Sequence, residues 1–68
     1  MTLTVKELRE IKPHSVIFVR DWKGYPCREW SDLTTGERIS LNSKVITELK
    51  WHDEWGMSAE IRVEDSRW

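Results

Sequence analysis

Cysteine is almost missing from this 68-residue chain, and Cys27 alone cannot close an intrachain disulfide. No disulfide framework holds the fold, which suits a reducing compartment, so a cytoplasmic protein is expected. Long apolar runs are missing too. The longest strongly apolar one, Val16-Ile17-Phe18-Val19, is strand-sized and far below the roughly 20 residues of a membrane span. The opening residues lack the basic start and apolar centre of a signal peptide, and neither Thr2 nor the closing Ser66-Arg67-Trp68 makes a lipidation motif. No leader, lipid anchor or membrane partner is therefore expected. An excess of one charge is also lacking: 11 basic and 12 acidic residues leave a net charge of -1. That balance argues against a broad electrostatic grip on nucleic acid, and equally against an acidic mimic of DNA. The three glycines, Gly24, Gly36 and Gly56, each stand singly at an expected turn, so no glycine-rich phosphate loop is present. No internal repeat or low-complexity segment stands out.

What the chain does have is tryptophan, five in all. With Val, Ile, Leu and Phe at 16 of 68 residues, this favours a folded domain with a small core, since a chain this short buries only roughly 60% of its unfolded surface. One domain over 1–68 is expected, with a helix at 5–12, a β-rich body at 15–64 and a tail at 65–68.

Thr4-Val5-Lys6-Glu7 reads as a capping box, with Leu3 and Leu8 placed for a hydrophobic staple. Val5, Leu8 and Ile11 follow at helical spacing, and Pro13 ends the helix at Lys12. Ser15 to Trp22 predicts a central strand buried on both faces. A turn at Lys23-Gly24-Tyr25-Pro26 leads to a strand from Cys27 to Asp32, with Trp30 on the face opposite Cys27. Thr34-Thr35-Gly36-Glu37 reads as a second turn and Arg38 to Leu41 as a third strand. Lys44 to His52 carries two patterns. Its alternation and the β-branched trio Val45-Ile46-Thr47 favour a strand, while Ser43 as a cap for Ile46 and Leu49 is the helical alternative. Asp53 to Met57 is a loop, and Ala59, Ile61 and Val63 alternate with charged residues in a half-buried strand. The fold class expected is mainly β (α+β): a short N-terminal helix, then a four- to five-stranded antiparallel sheet curling toward a small barrel. Its predicted core is Leu8, Ile11, Val16, Phe18, Ile39, Leu41, Leu49, Ile61 and Val63.

The run Gly36-Glu37-Arg38-Ile39-Ser40-Leu41-Asn42-Ser43-Lys44-Val45-Ile46-Thr47-Glu48-Leu49 resembles the late strands of small Sm-like or SH3-like bacterial barrels. Their leading helix is also matched in outline. That family includes small regulators of the transcription terminator Rho, so the resemblance implies a protein partner as readily as RNA. The opening Thr4-Val5-Lys6-Glu7-Leu8 resembles small phage and prophage proteins, which implies a source rather than an activity; an accessory factor acting on a bacterial host component is the expectation that fits such a source.

The residues with most to offer a partner lie between Arg20 and Trp30. Trp22, Tyr25 and Trp30 are interleaved there with Arg20, Lys23 and Arg28. Trp, Tyr and Arg dominate protein-interface hot spots, while aromatics beside cations also stack on bases. Asp21 and Glu29 reduce the local charge, which favours the protein reading. Trp55, in the acidic cluster Trp51-His52-Asp53-Glu54-Trp55, completes the candidate patch. The expected function is non-enzymatic binding to another protein. The alternatives are a nucleic-acid binder using Arg20, Lys23, Arg28, Trp22 and Tyr25, or a homo-oligomer joined through strand edges or Trp68. His52 beside Asp53 and Glu54 lacks converging ligands, since only His14 and Cys27 remain and neither has a ligand spacing. No metal, cofactor or catalytic constellation is expected, and Cys27 reads as a small packed hydrophobe.

Overall fold

The predicted capping box forms. The Thr4 hydroxyl accepts from the Glu7 amide at 3.2 Å, and the Glu7 carboxylate accepts from the Thr4 amide at 3.2 Å. It starts helix α1 (Val5–Ile11), which buries Val5 and Leu8. The computed structural model describes residues 2–64, and Trp68 lies outside them. After α1 come β1 (Val16–Trp22), β2 (Tyr25–Glu29), a 3-10 turn at Trp30–Asp32, α2 (Thr35–Asn42), β3 (Ile46–Trp51) and β4 (Ser58–Val63).

The four strands form one mixed sheet in the order β2-β1-β4-β3. β1 and β2 are antiparallel, as are β3 and β4, but the two central strands β1 and β4 run parallel. Two expectations are corrected here. The sheet is not wholly antiparallel, and it stays open, with β2 and β3 as its edges, so the expected curl into a barrel is not seen. A third concerns the segment read as a turn and a strand over Thr34 to Leu41, which is a helix. Its start repeats the chemistry of α1: Thr34 accepts from the Glu37 amide at 3.2 Å and Glu37 accepts from the Thr34 amide at 2.9 Å. Each half of the chain thus opens with Leu-Thr-x-x-Glu, as Leu3 to Glu7 and Leu33 to Glu37, and continues as a helix and two strands.

Both helices pack on one face of the sheet. The core joins Val5 and Leu8 of α1, Leu41 of α2 and Leu33 to Ile17, Val19, Trp22, Ile61 and Val63. Leu8, Leu41, Ile61 and Val63 are where the sequence puts them, and Leu49 packs partly buried against them. Ile11, Val16 and Ile39 are instead exposed, at 64%, 40% and 65%. The sequence pattern sets Ile39 and Leu41 on one face of a strand. On a helix, positions two apart lie about 200° apart, so with Leu41 buried Ile39 faces out. β1 is central as expected, but helices cover only one of its faces. Ile17 and Val19 are buried while Phe18 is half-buried on the uncovered side. The backbone alternation breaks at Asp21, whose φ of +52° turns Trp22 into the core beside Val19.

Turn chemistry closes the hairpins. Lys23 and Gly24, at φ +52° and +82°, make a two-residue turn of the mirror-image kind that matches strand twist. Tyr25 and Pro26, expected in that turn, belong to β2 instead, and Trp30 leaves the strand for the 3-10 turn. β3 is the strand the β-branched trio favours. A register shift between Ile46 and Glu48 brings Ile46, Leu49 and Trp51 to the helix side, which explains why Ile46 and Leu49 also showed helical spacing.

Candidate functional site

The seven candidate residues fall into three places. On the uncovered face of the sheet, Arg20 donates to both carboxylate oxygens of Glu60 at 3.2 Å. His52 Nε2 lies 3.4 Å from Glu60 Oε1, and Phe18 meets the His52 ring edge-on. Arg62 holds the buried Asp21 at 2.8 Å and lies 3.8 Å from Glu48. Cations and carboxylates alternate across this face, and the Arg20 charge is paired with Glu60, although its Nε is buried with no hydrogen-bond partner among the described residues.

The second place is the β1–β2 hairpin and the 3-10 turn. Trp22 is only 4% exposed, with the Lys23 ammonium 4.8 Å from its ring centre. Arg28 stacks 4.4 Å over Tyr25, while donating to Glu37 at 2.9 Å and to the Asp32 carbonyl at 2.9 Å. The half-buried Trp30 is covered by Arg9 at 4.6 Å. The expected interleaving of aromatics and cations is real, but Arg28 and Trp30 are engaged within the chain, and among the aromatics here only Tyr25 is exposed, with Lys23 exposed beside it over the Trp22 ring. The Glu37 carboxyl sits below its ordinary pKa, first because the Thr34 amide donates to it, and further because the Thr34 hydroxyl and Arg28 favour its charged form.

The third place is the loop between β3 and β4, where Trp55 is 78% exposed. The loop is well tethered. Asp53 accepts from the Met57 amide at 2.9 Å, Val16 donates to the Met57 carbonyl at 2.8 Å, and the Ser15 hydroxyl donates to the Gly56 carbonyl. Gly56 has a φ of +69°, and the Lys12 side chain crosses it so closely that an added Cβ would meet Nζ at 3.2 Å. Trp55 therefore stands as a ridge on a fixed base. On one side a shallow groove of ≈ 180 Å³ runs between Ile11, Pro13, His14 and Met57. On the other lie Trp51, Asp53 and Glu54.

Trp55 and Tyr25 do not share a surface. Ser58 of β4 pairs with Val16 at the start of β1, whereas Tyr25 pairs with Trp22 at its end. The two exposed aromatics stand at opposite ends of the sheet, about 20 Å apart along a seven-residue strand. Sequence reading missed Ile11 and Met57 as Trp55's neighbours, because they meet it only when the parallel pairing of β1 and β4 brings the two connections together. Among the described residues no group of three or more His, Cys, Asp and Glu is placed to hold a metal ion, Cys27 is exposed rather than packed, and no helix is long and apolar enough to cross a membrane.

Compared with known proteins, the chain matches no family, no curated protein and no solved structure.

Proposed function

We propose that this chain is a small non-enzymatic module that binds another protein through the loop end built around Trp55. The observation that carries the reading is a tryptophan 78% exposed on a tethered loop, with Ile11 and Met57 beside it at 64% and 52%. A Trp side chain offers about 150–250 Å² of contact, and a loop whose backbone is already held in place loses little conformational freedom on binding. His14 flanks the apolar centre on one side and Asp53 and Glu54 on the other, with Lys12 bordering both, which is the polar rim around a hydrophobic middle that protein interfaces favour. A protein partner is preferred to nucleic acid because Arg20 and Arg28 are held in ion pairs with Glu60 and Glu37, which leaves Lys23 as the one exposed cation of the three.

The test is capture from bacterial lysate with the tagged full chain and with its Trp55→Ala variant, each with and without nuclease and at two salt concentrations. The expected result is a protein that survives nuclease and salt on the wild type and is lost with Trp55→Ala. Binding abolished by nuclease, or a partner indifferent to Trp55→Ala, would overturn the reading.

A further inference from the structure

β3 ends the sheet, and its outer side is only partly covered. The Leu3 carbonyl accepts from the Ile46 amide at 2.7 Å, and Val5 donates to the Lys44 carbonyl at 3.1 Å. Beyond Ile46 the edge is bare among the described residues. His52 donates to the Ser58 carbonyl at 2.9 Å, so His52, Lys50 and Glu48 turn their backbone groups toward β4. Antiparallel alternation then turns the N–H and C=O of Leu49 and Trp51 outward. The opposite edge, β2, is blunted by Pro26, which has no amide hydrogen to give.

We propose that a second copy of this chain pairs with that edge, β3 against β3, antiparallel, with Leu49 opposite the partner's Leu49. Charge selects both the occupant and the register. With the two Leu49 residues paired, Glu48 of each copy faces Lys50 of the other, twice, in the non-hydrogen-bonded pairs where side chains come closest. Sliding by one step to put Leu49 opposite Trp51 would set Lys50 against Lys50, and like charges directly opposite are unfavourable. A lone edge lysine deters pairing, whereas Glu48-Leu49-Lys50 read antiparallel against itself is self-complementary. The lengths agree as well. The ladder would centre on Leu49 and be bounded by the register shift at Thr47, beside the Ile46 amide already taken by Leu3, and by His52, where the chain turns away. Leu49 and Trp51, half-buried in the single chain, would gain cover from the second copy. A contact this short makes a weak, concentration-dependent dimer. Trp55 lies outside it, so it stands or falls independently of the partner site above.

The experiment is sedimentation equilibrium of the full chain over a range of concentrations, with circular dichroism to check each variant's fold. The wild type should dimerise. Lys50→Glu and Glu48→Lys should each weaken association at least about tenfold, and an equimolar mixture of the two should recover it, because each then offers the charges the other needs. In the wild type, amide exchange at Leu49 and Trp51 should slow as concentration rises. A wild type monomeric throughout, a dimer that keeps its strength in both single variants, or a mixture that stays monomeric would overturn the proposal.

Discussion

Trp22 and Trp55 are the same residue type at 4% and 78% exposure, and they should behave as opposites. Trp22→Ala removes a core anchor and should cost about 3–5 kcal/mol, enough to unfold much of a small domain whose total stability lies near the bottom of the usual range of about 5–15 kcal/mol. Trp55→Ala should stay within about 0.5 kcal/mol. Urea titrations of both variants check this directly. Two glycines make a similar pair. Neither Gly24 nor Gly36 has a neighbour within reach of an added Cβ, so only the backbone decides. Gly24 is held at φ +82°, so Gly24→Ala should destabilise by about 1–2 kcal/mol. Gly36 lies in the first turn of α2, so Gly36→Ala should stabilise by about 0.5–1 kcal/mol. Glu37 sets a pH dependence. Its folded pKa is lowered by the Thr34 amide, the Thr34 hydroxyl and Arg28, so the folded state binds its proton less readily than the unfolded chain does. The stabilisation is therefore present above the ordinary glutamate range and lost as pH falls through the lowered value. Melting temperature should drop on acidification, and less so in Glu37→Gln.

At the scale of elements, the sequence made α1, β1 and β4 legible because each carried one dominant local signal, while β3 carried both a strand and a helical pattern, of which the strand formed. For α1 this was the box at Thr4 and Glu7, and for β4 the alternation of Ala59, Ile61 and Val63. α2 carried the same box at Thr34 and Glu37, but Gly36 inside it suggested a turn, and Ile39 and Leu41 two apart imitated a strand. A helix so short with one buried residue has almost no apolar stripe to read. Trp22 entered the core through the positive φ of Asp21, and backbone departures of that kind leave little trace in residue pattern. Trp55 was legible as a candidate contact by residue type, and its exposure came only with the fold. Its company of Ile11 and Met57 was not legible, because those contacts depend on a parallel pairing between the first strand and the last. The cations of the Arg20 to Trp30 segment were legible by type alone, while their stacking and pairing within the chain needed the fold.

For the whole molecule, the order β2-β1-β4-β3 ties the halves together, since each central strand comes from a different half. Neither half should fold alone. The fragment 1–32 would hold α1 and a two-stranded hairpin, and an isolated hairpin is marginal in water. It should show no cooperative thermal transition by circular dichroism, whereas the full chain should show one. The same parallel pairing builds the loop end, so the surface proposed for a partner exists only in the assembled domain. The most direct test of that surface is site-specific photo-crosslinking in bacterial lysate, with the reactive side chain placed at position 55 in one protein and at position 25 in another. The account predicts one protein crosslinked from position 55 and not from position 25, with the adduct absent when the chain is unfolded beforehand. Crosslinks from position 25 alone, or equal labelling from both ends of the sheet, would contradict it.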